Sequence, residues 1–190
     1  MLNEIVFDIE TIGDIQNLAT MEITVVSIYE YKFDRYTSFE RGELKSLWPI
    51  LEKADLIIGY NSKHFDIPVL NNYYLGDLTK IPHLDIMEKV KESLGFRLKL
   101  KDLAQATLDN IDKSGDGLQA MRWWKEGKID EIKKYCEQDV LVTKEIYEFG
   151  KKNRQLFYKS LTGEVLPFRV NFEQTATDST KKNINLTLPL

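Results

Sequence analysis

The chain has little of what disulfide scaffolds, zinc sites and membrane proteins are built from. A single cysteine, Cys136, occurs in 190 residues, so neither an internal disulfide nor a thiolate metal cluster can form within the chain. His64 and His83 are its two histidines, too few and too separated to define a zinc site, which takes more nitrogen or sulfur ligands. No run approaches the roughly 18 consecutive apolar residues of a membrane helix. The N-terminal MLNEIVFDIE lacks the basic start and apolar stretch of a secretory signal, so a cytoplasmic location and no membrane partner are expected. With 26 basic against 30 acidic residues and a net charge of -4, the chain is also no protein that coats nucleic acid by bulk positive charge.

What is present fits an ordinary globular chain: 43% hydrophobic, 29% charged and 11% aromatic. One domain is expected, with residues 1–150 as its main body and residues 151–190 as a C-terminal hairpin and tail packed on it. The acidic surplus lies in the main body, whereas residues 151–190 carry seven basic and three acidic side chains. Residues 80–101 form a smaller basic interval, read as a solvated face. No solenoid-like repeat is visible, and the Thr-, Asn- and Ser-rich stretch from Glu173 reads as a tail or a segment ordered by packing.

Residues 2–9 suit a buried strand that stops at the acidic residues. ITVVSIYEY at 23–31 and YTSF at 36–39 continue it as a three-stranded meander. Leu44, Leu47, Trp48 and Leu51 recur at helical spacing, and the apolar LIIGY at 56–60 returns to the sheet. A helix is predicted over 65–75, with Pro68 in its first turn, and others over 85–94, 101–108, 117–125 and 129–151. LFYKSL and VLPFRVNF, around Thr162-Gly163, predict a C-terminal β-hairpin.

Three groups of carboxylates stand out. Asp8 and Glu10, one residue apart, project to the same side of a strand. Two anions held together repel, and burying both needs protonation or a cation, for which hard divalent ions with oxygen ligands are the usual solution. Taken alone, the pair equally describes a solvated strand terminus. Asp66 lies at a strand-to-helix junction, where it would serve as an N-terminal helix acid and also stand at the sheet edge where ligands of α/β proteins gather. Tyr135 and Asp139 sit one turn apart on a helix whose apolar stripe runs through Ile129, Ile132, Cys136, Val140, Thr143 and Tyr147. Glu137 falls on another face and is expected to be solvated.

Together the groups resemble the DEDD exonucleases of the ribonuclease-H-like (DnaQ-like) superfamily, in their DEDDy branch. The matching motifs are FDIET at 7–11, the Asp66 of GYNSKHFDIP, and the Tyr135-x-x-x-Asp139 pair. The sister branch carries a histidine five residues before the last aspartate, where this chain has Lys134. The likeness covers residues 2–150, and the region from GDGLQAMRWW onward, with the hairpin, is most similar to the small YprB-type predicted exonuclease domain. The resemblance implies an α/β fold with a mixed five-stranded sheet, an antiparallel β1-β2-β3 meander plus parallel strands, flanked by helices. It further implies two divalent ions, Mg²⁺ or Mn²⁺, clamping a phosphate for in-line displacement. Asp8 would bridge them, Glu10 and Asp139 would complete one site, and Asp66 would serve the other directly or through water. Tyr135 would orient the attacking water, since a phenol with a pKa near 10 is a poor base at neutral pH. The implied reaction releases 5′-mononucleotides from the 3′ end of a nucleic acid, most simply a single strand, with any polymerase or repair partner acting in trans.

By the same resemblance Thr11 and Ile12 would touch the terminal nucleotide. Asn61 is placed to donate to sugar or phosphate, and Phe65 either stacks on a base or packs in the core. Lys99, Lys101 or the basic C-terminal region would meet the trailing strand, unless they only solubilise. Asp85 begins a helix, though an acid at that place in the superfamily can lie near the metals. Trp123 and Trp124 read as packing residues, Cys136 as a core thiol, and Gly115-x-Gly117 lacks the signatures of a phosphate loop. Two rival readings remain: a noncatalytic nucleic-acid-binding or assembly module that retains the fold, and an endonuclease.

Overall fold

The computed structural model of the chain describes residues 2–108 and 117–173. Strands β1 (Glu4–Ile12), β2 (Glu22–Glu30) and β3 (Arg35–Glu40) form an antiparallel meander. Helix α1 (Leu44–Leu51) carries the chain to β4 (Leu56–Gly59), parallel to β1 on its free side. A short helix α2 (Asp66–Asn71) then leads to β5 (His83–Asp85), parallel to β4, so the sheet order is β3-β2-β1-β4-β5. Helices α3 (Ile86–Leu94), α4 (Leu100–Thr107), α5 (Gly117–Lys125) and α6 (Ile129–Asn153) follow, and the hairpin of β6 (Gln155–Lys159) and β7 (Val165–Arg169) comes last. The mixed five-stranded sheet and the hairpin match the sequence-based expectation. Gly115 and the tail beyond Glu173 lie outside the described residues.

Helices cover both faces of the sheet, which is why β2, rich in β-branched residues, is buried almost throughout. On one face Ile5, Phe7, Val26, Ile28 and Phe39 pack with Leu47 and Leu51 of α1 and with Ile67 and Leu70 of α2. On the other, Val6, Tyr29 and Ile58 pack with Leu103 of α4 and with Val140 and Ile146 of α6, and the hairpin's Leu156 and Phe168 join the same cluster. Strand alternation therefore decides where the acids go: with Ile5, Phe7 and Ile9 on the first face, Asp8 and Glu10 follow Val6 onto the face beneath α6.

Beyond shifts of one to three residues elsewhere, two boundaries near the acids differ from the expectation. β1 does not stop at the acids but runs on to Ile12, because its ladder with β2 continues through Asp8 opposite Ser27 and Glu10 opposite Val25 while Ile9 stays buried on the far face. α2 has six residues rather than eleven; Pro68 sits in its first turn as expected, and beyond Asn71 the chain folds back, with Leu78 N–H donating to Asn71 Oδ1 at 3.0 Å. Among the described residues no helix is long and apolar enough to cross a membrane.

Candidate active site

The acids of β1 are aimed by pairing with β2 and by a local irregularity, beyond the Glu4–Val6 segment that also pairs with β4. The β1–β2 register shifts between Glu10 and Thr11, leaving Thr24 as an extra residue on β2. Its buried hydroxyl donates to the Glu10 carbonyl oxygen at 2.9 Å, so the disturbed ladder keeps its backbone acceptor satisfied. α6 lies over this face with Ile132, Cys136, Val140 and Thr143 buried. That seating fixes the helix rotation and turns its flank, Tyr135 and Asp139, toward β1. As a result one carboxylate oxygen each of Asp8, Glu10 and Asp139 lie within 4.8 Å of one another. Tyr135 donates a hydrogen bond to Asp139.

Asp66 arrives from the other side of β1, after a turn held by β5. Asp85 Oδ1 accepts from the backbone N–H of Asn61 at 2.8 Å and of Met87 at 3.0 Å, and its Oδ2 accepts from Lys63 N–H at 3.0 Å. Asn61 is thereby held in the left-handed region at φ 60°, which asparagine tolerates better than most residues. Ser62 is buried against His83, Oγ to Nε2 2.8 Å. The turn leaves no room at Gly59, where a Cβ would lie 2.3 Å from Ser62 Oγ. Asp66, opening α2, is 4% exposed, and its Oδ2 has no hydrogen-bond partner among the described residues. It stands outside the 4.8 Å group but within electrostatic reach of Asp8 and Glu10.

Burial and mutual repulsion act on all four acids. Burial raises the Asp8 carboxyl well above the usual range and Asp139 adds to the rise, while the Cys136 thiol opposes it. Glu10 is raised by burial, then by Asp8 and Asp139. Asp66 is raised by burial, then by Asp8, Asp85 and Glu10. Burial lifts Asp139 to about 6, against the hydrogen bond from Tyr135. Four such carboxyls ionise together only if a cation joins them. An all-oxygen donor set of three converging carboxylates, with an orphaned buried oxygen on a fourth, fits hard divalent ions such as Mg²⁺ or Mn²⁺. Softer donors nearby are otherwise engaged. His83 Nε2 is paired with Ser62 Oγ at 2.8 Å, and burial pushes the Cys136 thiol up, away from the thiolate that binds metal.

The remaining sequence-predicted residues divide. Thr11 and Ile12 are half-buried at the end of β1, directly beyond the acids. Asn61 Oδ1 is buried with no hydrogen-bond partner among the described residues. Phe65 is half-buried and packs against the core cluster that holds α1 and α2. Lys99 and Lys101 are exposed. Asp85 caps α3, as expected, but its clamp on the Asn61 turn carries no sequence signal. Trp123 packs edge-on to the Tyr135 ring, centroids 6.0 Å apart, so its packing role is to back that phenol. Glu137 is half-buried rather than fully solvated: α6 extends over β3, and Ser38 Oγ donates to Glu137 Oε1 at 2.6 Å.

No curated protein matches the sequence. Among solved structures, the fold is similar to the family B DNA polymerase from the hyperthermophilic archaeon Pyrobaculum calidifontis, with a TM-score of 0.63 and 18% identity over 79% of this chain and 24% of that chain. The likeness is one of fold, and this chain corresponds to about a quarter of that polymerase. The family model of the RNase H superfamily matches residues 5–149, a span that runs from β1 through α6 and contains Asp8, Glu10, Asp66, Tyr135 and Asp139. The chain belongs to the RNase H superfamily.

Proposed function

We propose that the chain is a metal-dependent 3′–5′ exonuclease of the DEDDy type that hydrolyses terminal phosphodiester bonds of DNA or RNA and releases 5′-mononucleotides. The observation that carries this reading is the convergence of the Asp8, Glu10 and Asp139 carboxylates with a tyrosine hydrogen-bonded to the last of them. Superfamily membership supports a nuclease. Asp8, Glu10 and Asp139 would hold one divalent ion, and Asp8 with Asp66 a second, of Mg²⁺ or Mn²⁺. Bound there, such ions supply positive charge that draws in the phosphate and lowers the pKa of water. Tyr135, held by Asp139 and backed by Trp123, positions the water that attacks phosphorus in line with the leaving 3′ oxygen. Thr11 and Ile12 flank the terminal nucleotide, and Asn61 offers a polar contact to its sugar or phosphate. We place this activity within residues 1–150, with the hairpin as an appended support.

The experiment is a single strand labelled at its 5′ end, incubated with Mg²⁺ or Mn²⁺ beside the Asp8→Ala protein. A ladder shortening from the 3′ end, absent in the variant, is expected. Internal cuts on a strand with blocked ends would instead mark an endonuclease, and binding without cleavage a noncatalytic module. A panel of single- and double-stranded DNA and RNA then assigns the substrate.

A further inference from the structure

A row of polar groups crosses the sheet beneath α6, where the core is otherwise apolar. Ser27, in the middle of β2, is fully buried. It stands opposite Asp8 of β1 and Ser38 of β3, so the three side chains share one face. Ser27 Oγ lies 2.8 Å from Ser38 Oγ, and Ser38 donates to Glu137 Oε1 at 2.6 Å. Toward the site, Ser27 neighbours the Cys136 sulfur and interacts with it through both its side chain and its backbone. The thiol in turn donates to the Asp8 carbonyl oxygen at 3.4 Å and to Asp8 Oδ2 at 3.7 Å. The row Glu137, Ser38, Ser27, Cys136, Asp8 spans two inter-strand spacings, about 10 Å.

We propose that Glu137, Ser38, Ser27 and Cys136 are positioning residues that hold the Asp8 carboxylate in its metal-receiving orientation from the far edge of the sheet, an inference that rests on Asp8 being a metal ligand. Asp8 faces Asp139 and Glu10, and repulsion alone would swing it away. Among the described residues, the Ile9 backbone and the Cys136 thiol donate to it, and the thiol is the side-chain restraint. Packing does not require this arrangement, since apolar residues of the same shape in place of hydroxyl pairs are close to neutral for stability. The proton count gives the row a direction. Cys136, Ser27 and Ser38 bring three protons to five contacts, the single thiol proton being shared between the Asp8 carbonyl oxygen and Asp8 Oδ2. With Ser38 donating to Glu137, the Ser27 proton is divided between Ser38 and the sulfur.

The single thiol supplies its own reporter, the infrared S–H stretching band of the full-length protein. In Glu137→Gln the amide donates to Ser38, and the serine protons turn toward Cys136. The S–H band of the metal-free variant is expected to move although residue 137 does not touch the sulfur; an unmoved band overturns the relay. Mn²⁺ titration followed by thermal unfolding gives the second reading. Cys136→Ala is expected to bind Mn²⁺ about tenfold more weakly, and Cys136→Ser, which keeps a donor, to recover to within about threefold. Equal affinity of both variants overturns the proposal. If Cys136→Ala does not fold, Ser38→Ala carries the test, with a loss of at least about twofold expected and no loss overturning it. Wild-type protein that takes up no Mn²⁺ contradicts the nuclease reading, and the band in metal-free Glu137→Gln still decides the relay.

Discussion

Asp85 and Asn61 are joined by a 2.8 Å hydrogen bond from the Asn61 backbone N–H to Asp85 Oδ1, and through it β5 governs the turn that delivers Asp66. The same carboxylate receives Lys63 and Met87, so one side chain closes the turn and caps α3. Hydrogen bonds to a charged acceptor contribute about 1.5–3 kcal/mol each, less than additively when shared. Asp85→Ala is therefore expected to lower stability by about 3 kcal/mol. Urea unfolding should show an earlier midpoint at unchanged slope, with hydrolysis impaired because Asp66 is no longer held.

The acid cluster sets a pH dependence for the metal-free protein. Asp139 is raised to about 6, and Asp8, Glu10 and Asp66 are raised as well, chiefly by burial. A raised folded-state pKa means that the native state binds more protons than the unfolded one between the two values, so stability falls as pH rises through that window. Metal-free protein should be most stable below about pH 4 with respect to this cluster and lose stability through pH 6 and above. Mg²⁺ or Mn²⁺ should restore it at neutral pH. Thermal unfolding with and without metal across pH checks the sign.

Removing one of the repelling charges should have opposite effects in the two states. Asp8→Asn is expected to stabilise metal-free protein at pH 7 by about 1–2 kcal/mol. The same variant should show almost no stabilisation by Mn²⁺ and no hydrolysis. Paired melting curves and an end-label assay measure both.

Tyr135→Phe separates positioning from metal binding. The variant keeps the ring against Trp123 but loses the donor to Asp139, whose pKa should climb further above about 6. A misplaced nucleophile costs about 100-fold in rate, so the turnover rate should drop by about that factor while the Mn²⁺ midpoint moves by less than about threefold. Single-turnover kinetics beside a metal titration test the split.

The reach of the sequence follows from what each signal encodes. Strand alternation places Asp8 and Glu10 together because it depends only on local geometry, and the stripe through Ile132, Cys136 and Val140 orients Tyr135 and Asp139 for the same reason. β5 escapes notice because three residues after Pro82 carry no period, and its Asp85 is indistinguishable from an ordinary helix cap. The continuation of β1 to Ile12 depends on pairing with β2, a partner that local charge does not reveal. Glu137 reads as solvated on a helical wheel, and only the lie of α6 across β3 brings it to Ser38. The Ser27–Cys136 contact likewise links residues more than a hundred positions apart, beyond any local pattern.

Crystals grown with Mn²⁺ and measured for anomalous scattering test the central claim most directly. Strong peaks are expected within ligand distance of Asp8, Glu10 and Asp139, with a second beside Asp66. Crystals that diffract well with Mn²⁺ present, yet show these carboxylates protonated or turned apart and no anomalous density among them, would contradict the account.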